Sequence, residues 1–184
     1  MVSRPAELDA VRAVLSTVQD PELPVDIVSL GMIAGAEIEA DQSVTLRLVP
    51  TFLGCSAQFL IEQNVVDAIR DAGLGTARVV WDSADTWSVE KLAPPTRKVL
   101  AEHGIAVYDG GDLACPYCSA SKTEFVSEVG STLCRSLAYC HECMNPFEIF
   151  RDHRGGRLQS WVGSSGRAVP LRIRSAVAPK RTPT

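Results

Sequence analysis

The sequence has no run of about 20 apolar residues, the length that an α-helix needs to cross a bilayer. Its first residues, 1–7, contain no apolar h-region, so we expect no secretory signal peptide and a cytoplasmic location. Nor is it polar enough for a disordered chain, since 46% of its 184 residues are hydrophobic and 22% are charged. The length leaves room for one ordinary domain or two small ones.

Basic residues are scarce outside the C-terminal segment. Of the 18 Lys and Arg residues, eight fall within residues 151–184 together with one acidic residue, so that segment carries +7 and residues 1–150 carry −11. An acidic body argues against a nucleic-acid-binding core. The basic segment is read as a solvated tail, with an acidic partner, a nucleic acid or the body of the protein as alternative contacts.

The hydrophobic periodicity predicts an α+β fold, in which residues 5–90 form a small α/β sandwich with a mixed sheet and helices on one face. The predicted order is a helix, two strands, a helix and a strand, at residues 6–18, 35–39, 44–49, 57–72 and 77–81. In the second helix the candidate buried positions are Phe59, Leu60, Val65, Val66 and Ile69.

The rest of the chain divides at changes of composition. Residues 91–112 are predicted to be a linker with a short helix, residues 113–152 a four-cysteine zinc-ribbon module, and residues 153–184 a basic, partly disordered tail. Within that tail, residues 161–173 are expected to form one short hairpin.

Six cysteines carry the strongest motif, because five of them fall between residues 115 and 143. Without a signal peptide we expect a reducing compartment, where clustered cysteines more often bind metal than form disulfides. Cys115 and Cys118, and then Cys140 and Cys143, form two C-x-x-C pairs separated by 21 residues. Two such turns complete a tetrahedral four-sulfur site, so we predict structural zinc. A mononuclear iron site, disulfides and redox-active pairs remain alternatives.

Metal binding would also explain how a segment of about 35 residues folds, since it supplies on the order of 10 kcal/mol or more. Cys134 fits neither pair, and its simplest interpretation is a small buried hydrophobic residue. His141 lies inside the second pair and is expected to be solvent-exposed rather than a ligand.

Cys55 stands alone in the loop that precedes the second predicted helix. A helix N-terminus favours a thiolate, so its pKa is expected to fall below the ordinary value of about 8.5, with Thr51 as a nearby hydrogen-bond donor. Asp20 and Glu22 belong to an earlier loop that would lie beside Cys55 and suit a site that receives a cation. The simpler alternatives are a buried cysteine and an ordinary turn at the end of a helix.

Several motifs together resemble the PaaD family, the D subunit of the phenylacetyl-CoA epoxidase system. The N-terminal part is similar to the small iron–sulfur assembly domain of SufT-type proteins. The matching segments there are Asp20–Pro24, Ser29–Ile33 and Thr51–Ser56. In the C-terminal half they are Cys115–Cys118, Phe125–Ser127, Gly130–Cys134, Cys140–Cys143 and Pro146–Phe147. The family commonly has Pro after the loop cysteine, where this chain has Ser56.

The resemblance implies an accessory protein rather than an enzyme, one that helps to mature an iron–sulfur cluster or di-iron centre of a multicomponent monooxygenase in phenylacetate or other aromatic degradation. The position of the functional thiol matches Cys55, and the acidic loop matches Asp20 and Glu22. The implied cofactors are structural Zn²⁺ and a transient iron ion or iron–sulfur cluster at Cys55. The implied partners are the monooxygenase and reductase subunits, with a homodimer as a further candidate and no membrane.

Alternative functions are a non-catalytic structural subunit of the oxygenase complex and a redox enzyme that uses Cys55 with Cys134 or a C-x-x-C pair. Nucleic-acid binding through the ribbon and the basic tail is the weakest of the candidates.

Overall fold

The structure, a computed structural model, describes residues 5–151. Its front unit has the predicted element order and consists of α1 (Pro5–Leu15), β1 (Ile33–Ile38), β2 (Val44–Leu48), α2 (Gln58–Asp71) and β3 (Ala77–Trp81). Its rear unit consists of α3 (Thr96–Glu102), β4 (Ile105–Tyr108), β5 (Thr123–Ser127), β6 (Arg135–Cys140) and β7 (Pro146–Arg151). None of the described helices is long and apolar enough to cross a membrane.

The front sheet is mixed, as predicted, with strand order β1-β2-β3. β1 and β2 form an antiparallel hairpin, whereas β2 and β3 run parallel and are joined through α2. Helices α1 and α2 pack against each other, and each also contacts the sheet. Cys55 follows the carboxyl end of β2 in this β2–α2–β3 crossover, a place where open α/β sheets commonly bind ligands.

The helix α1 ends at Leu15, three residues earlier than the pattern predicts. The hydroxyls of Ser16 and Thr17 donate back to backbone carbonyls and compete with helix continuation. The chain then reverses within residues 18–27, where Asp20 and Val25 share a backbone hydrogen bond of 2.9 Å. This tight reversal holds the acidic loop beside the sheet.

The helix α2 buries one face at a regular spacing of four residues, and the prediction for two of its positions is wrong. Ile61, Val65 and Ile69 are fully buried, but Phe59 and Leu60 are 75% and 47% exposed. Because α2 begins at Gln58, its buried stripe starts at Ile61 and leaves the first turn outside the core.

The rear sheet has strand order β4-β7-β6-β5. β4 pairs parallel to β7, so the segment 91–112 is more than a linker and supplies an edge strand to this sheet. A small apolar core beneath the sheet includes Leu113, Ala138 and Phe147. The predicted hairpin at 161–173 and the end of the tail lie outside the described residues.

The two units share the larger core. Phe150 of β7 is fully buried against Trp87, with ring centroids 5.0 Å apart. The indole of Trp87 donates a hydrogen bond of 2.7 Å to the carbonyl of Leu30, deep in the front unit. Ile105 and Cys134, both from the rear unit, belong to the same buried cluster. The front core is therefore completed by side chains that lie beyond residue 90.

Candidate functional site

Four sulfur atoms converge where the two C-x-x-C turns face each other. The ligand atoms of Cys115, Cys118, Cys140 and Cys143 all lie within 4.8 Å of one another. The Sγ atoms of Cys115 and Cys143 are 3.7 Å apart, and those of Cys118 and Cys140 are 3.6 Å apart. No second group of this kind occurs among residues 5–151.

The geometry of these sulfurs fits a tetrahedral ion. Zn–S bonds of about 2.3 Å place neighbouring sulfurs about 3.8 Å apart, close to the observed separations. A disulfide would require about 2.05 Å, and all six cysteines are free. The site therefore has the spacing of a four-thiolate zinc centre.

The backbone around each turn is arranged to hold negatively charged sulfur. The amides of Cys118 and Tyr117 donate to the sulfur of Cys115, although burial outweighs them and raises the pKa of this thiol. The amides of Cys143 and Glu142 lower the pKa of Cys140 to about 7, which favours the thiolate that a metal ligand needs.

His141 lies outside this cluster, as the sequence predicts. Its side chain is 42% exposed, and its Nε2 lies 2.8 Å from the carboxylate of Glu124. Glu124 lies on β5, and His141 directly follows the end of β6.

The thiol of Cys55 occupies a second, separate location at the front of the molecule. Contrary to the expectation of a lowered pKa, its pKa is raised, chiefly by burial of the half-buried side chain. The nearby charges of Glu22 and Asp20 raise it further, while the amides of Ala57 and Gln58 at the start of α2 oppose them. Burial raises the pKa of Cys55 by more than the amides at the helix N-terminus lower it, so the thiol is protonated at neutral pH.

The acidic loop reaches Cys55 as the sequence suggested. The buried Asp20 accepts hydrogen bonds of 2.8 and 2.9 Å from the amides of Glu22 and Leu23 at one carboxylate oxygen. Burial raises the pKa of Asp20. Glu22 turns outward and accepts a hydrogen bond of 3.0 Å from the hydroxyl of Ser56, the residue after Cys55. Asp20 therefore shapes the loop, and Glu22 presents its charge beside the thiol.

Thr51 lies at the start of the same loop and is 3% exposed. Within the described residues its hydroxyl makes no hydrogen bond to Cys55, so the expectation of a direct donor is wrong. The structure thus shows Thr51 buried at the start of the loop, without a hydrogen bond from its hydroxyl to the sulfur.

Two residues of the rear unit, Cys134 and Arg135, lie close to this location, and the sequence connected only Cys134 with Cys55, in the redox alternative. Cys134 is 4% exposed, and its sulfur lies 3.2 Å from the hydroxyl of Thr132. The guanidinium of Arg135 donates to Thr132, to the carboxylate of Glu148 and to the backbone carbonyl of Glu22. Cys134 belongs to the family motif at residues 130–134, so the sequence offered a reason to single it out. Arg135 lies just outside that motif, and the sequence offered no such reason for it.

Two domain families match this chain. Residues 8–80 match the family described as iron-sulfur cluster assembly protein. Residues 107–151 match the family described as PaaD zinc beta ribbon domain. The second match and the four-sulfur cluster confirm the prediction of zinc, and the first fits the predicted iron or iron–sulfur cargo.

Individual relatives agree with these assignments. The putative D subunit of the 1,2-phenylacetyl-CoA epoxidase of Escherichia coli is 31% identical over 160 residues, covering 80% of this chain and 94% of the relative. An Fe-S protein maturation auxiliary factor of Porphyromonas gingivalis is 44% identical over 57 residues, which are 30% of this chain and 53% of that protein.

The fold also has a counterpart among solved structures. A domain of unknown function, DUF59, from Bacillus anthracis superposes with a TM-score of 0.50 at 25% identity, covering 53% of this chain and 94% of that one. Taken with the near-complete coverage of the Escherichia coli relative, these matches show that the chain belongs to the PaaD family, with an iron–sulfur assembly domain in front of a zinc ribbon.

Proposed function

We propose that this protein is a non-catalytic maturation factor that carries iron, or an iron–sulfur cluster, to a metal centre of a multicomponent monooxygenase resembling phenylacetyl-CoA epoxidase. The observation that carries the proposal is the placement of Cys55 beside Glu22 in a domain of the iron–sulfur assembly family. The names of the relatives, a component of an epoxidase and a maturation factor, support the same role.

The chemistry of the front site suits temporary binding. A thiol whose pKa is raised must lose its proton when a metal binds, and this competition weakens binding at neutral pH. The negative charges of Glu22 and Asp20 attract a cation and stabilise it once the proton has left. Cys55 would thus accept the cargo and release it to a client with stronger ligands.

The rear site has the opposite task. Cys115, Cys118, Cys140 and Cys143 would hold Zn²⁺ permanently, and the ion would supply the cross-link that keeps the two turns and the rear sheet folded. The zinc ribbon would then provide a rigid surface for docking the client.

Two exposed apolar side chains flank Cys55 in sequence and suit contact with a client. Leu53 and Phe59, on either side of Cys55 in sequence, are 67% and 75% exposed. Large exposed apolar side chains near a functional group are typical of interaction sites.

The test is to replace Cys55 with Ser and measure the iron content of the partner oxygenase and reductase subunits after co-expression. We expect iron occupancy and monooxygenase activity to fall together, with the zinc content of the variant unchanged. Asn64→Ala, on the exposed side of α2, is the matched control. Full occupancy with Cys55→Ser would overturn the proposal.

A second candidate is a structural component of the oxygenase complex, and it is favoured by the naming of the Escherichia coli relative as part of an epoxidase. It predicts stoichiometric co-purification with the oxygenase that Cys55→Ser leaves unchanged, together with normal metal loading of the complex.

A further inference from the structure

The charges of this chain are divided unevenly between its parts. Residues 5–90 contain 14 acidic and 4 basic residues, a net charge of −10, whereas residues 91–150 carry only −2. The segment 152–184, which follows the last strand, has 7 basic residues and 1 acidic residue, a net charge of +6. A segment of this charge is attracted more strongly to the front unit than to the ribbon from which it emerges.

The segment 152–184 leaves the fold next to the acidic loop. Arg151 ends β7, and the residue before it, Phe150, pairs across the ladder with Arg135 of β6. The guanidinium of Arg135 donates to the backbone carbonyl of Glu22 at 3.1 Å. The residue that faces the end of β7 is therefore only the length of its own side chain away from the acidic loop.

The carboxylate of Glu22 is open to a positive charge. Among residues 5–151 it has no ion-pair partner, and it accepts a hydrogen bond of 3.0 Å from the hydroxyl of Ser56. Arg135 does not neutralise it, because this guanidinium binds the backbone of Glu22 and pairs with the carboxylate of Glu148 at 2.6 Å. A negative charge beside Cys55 thus remains available to a cation from elsewhere in the chain.

The first basic residues of the segment 152–184 come within reach of this carboxylate. Arg154 and Arg157 follow Arg151 by three and six positions. An extended chain carries their Cα atoms up to about 10 and 20 Å from that residue. Their long side chains extend this reach, so the gap that Arg135 bridges from the ribbon lies within it.

The segment 152–184 also contains apolar side chains, which match those exposed near the front thiol. Trp161 and Leu171 lie among its basic residues. On the front unit, Leu53 and Phe59 are 67% and 75% exposed, on either side of Cys55 in sequence. Burial of these side chains against one another would add to the attraction between the charges.

We propose that the segment 152–184 binds within its own chain over the loop of Cys55, with Arg154 or Arg157 paired to the carboxylate of Glu22. The bound segment covers the thiol while no client is present. A client that uses the same face must displace the segment before it reaches Cys55. This last consequence rests on the proposed carrier function, whereas the contact itself does not.

The experiment uses full-length, zinc-loaded protein without iron. Arg154→Lys and Arg157→Lys, as separate variants, keep the charge and supply an amine that a water-soluble carbodiimide can join to a touching carboxylate. We expect mass spectrometry to find an amide between one of these positions and Glu22. The yield should fall at least fivefold in 0.5 M NaCl, because salt screens the attraction. A mixture of ¹⁵N-labelled and unlabelled protein should give products within single chains only.

Two carboxylate variants, each combined with the lysine variants, serve as a matched pair. Glu22→Gln should abolish this product, since it removes the carboxylate. Glu62→Gln changes a carboxylate that binds Trp81 and should leave the yield unchanged.

Hydrogen exchange provides a measurement that needs no variant. In the unaltered protein the amides of residues 51–57 should exchange at least threefold more slowly at 50 mM than at 0.5 M NaCl, because the segment covers them only at low salt. The amides of β5, at the far edge of the rear sheet, are the internal reference. The double variant Arg154→Glu and Arg157→Glu should exchange at the faster rate at both salt concentrations.

Several results would overturn the proposal. Products between two chains would assign the segment to a second copy, and products only at other acidic residues would place it elsewhere on the molecule. The absence of any product from either position would leave the segment to an external acidic partner. Exchange at residues 51–57 that responds to neither salt nor charge reversal would also reject it. None of these measurements involves client loading, so the carrier function would remain subject to its own test with Cys55→Ser.

Discussion

Arg135 of the ribbon donates a hydrogen bond of 3.1 Å to the backbone carbonyl of Glu22, a residue 113 positions earlier in the chain. The same guanidinium pairs with the carboxylate of Glu148 at 2.6 Å, and the two side chains are 11% and 20% exposed. The position of the acidic loop beside Cys55 is therefore set partly by the rear sheet. Arg135 thus joins the rear sheet to the acidic loop, in addition to the core that the two units share.

Replacing Arg135 with Ala should destabilise the protein by about 3 kcal/mol, because it leaves the largely buried carboxylate of Glu148 without its partner. Arg135→Lys should cost less, since it retains the charge but loses the forked contacts. Urea unfolding of the zinc-loaded protein measures both. Lys98→Ala, which removes an exposed helical ion pair, serves as the control and should stay within about 0.5 kcal/mol of the parent. Equal stability of Arg135→Ala and the parent would contradict the role assigned to this contact.

Removing zinc with a chelator should make the four clustered thiols reactive and loosen the rear sheet. Because Phe150 of that sheet packs on Trp87, tryptophan fluorescence should change as zinc leaves. Thiol titration and emission spectra, with and without chelator, follow the two events. Cys118→Ser should reproduce the chelated state, whereas the exposed Ser119→Ala should not. Fluorescence that remains constant while zinc is lost would show that the two cores are independent.

The alkylation rate of Cys55 should rise at a higher pH than the alkylation rate of a free thiol does, since burial and the charges of Glu22 and Asp20 raise the pKa of Cys55. Glu22→Gln removes one of those charges, so the profile should shift to lower pH. Mass spectrometry of iodoacetamide-treated protein identifies the modified cysteine. Glu62→Gln, which alters a carboxylate bonded to Trp81, is the control. An unshifted profile in Glu22→Gln would mean that its charge does not reach the sulfur.

The stability of the fold should decrease at alkaline pH. Cys134 has a pKa of about 11 in the folded protein and 9.0 as the reference value, so the folded state binds more protons between those values. The free energy of unfolding therefore falls as pH rises from about 9 towards 11. Cys134→Ala should flatten this dependence while lowering stability at neutral pH. Urea titrations at pH 7 and pH 10 measure the difference between the two proteins, and parallel losses in both would refute the assignment to Cys134.

Much of this molecule follows from local signals in the sequence. The two C-x-x-C pairs specify their own turns, and the strand–helix–strand pattern around Cys55 specifies a parallel crossover. The sequence did not predict β6, because its buried positions include the polar Ser136 as well as Ala138. The strand therefore lacks the alternation of apolar and polar residues that indicates a half-buried strand. β4 is only four residues long and is recognisable as a strand only once β7 lies beside it.

The predictions that were wrong concern properties that depend on tertiary packing, which local sequence patterns do not determine. The pKa of Cys55 depends on how deeply its loop is buried, which the helix N-terminus alone does not determine. Phe59 and Leu60 read as core residues by hydrophobicity, but the start of α2 fixes which face turns inward. The place of Cys134 depends on tertiary packing between two units that the sequence presents as separate.

The parallel pairing of β4 with β7 has a consequence for protein engineering. A ribbon excised at residue 113 would lack its edge strand, and the remaining front half would lose the aromatic ring of Phe150 that fills its interior. Exchange of ribbons between homologues should therefore succeed only when the crossover point lies before Gly104 and the interior residues of both parents match in volume. The two units therefore form one folding unit with a shared core, and neither is expected to be exchangeable on its own.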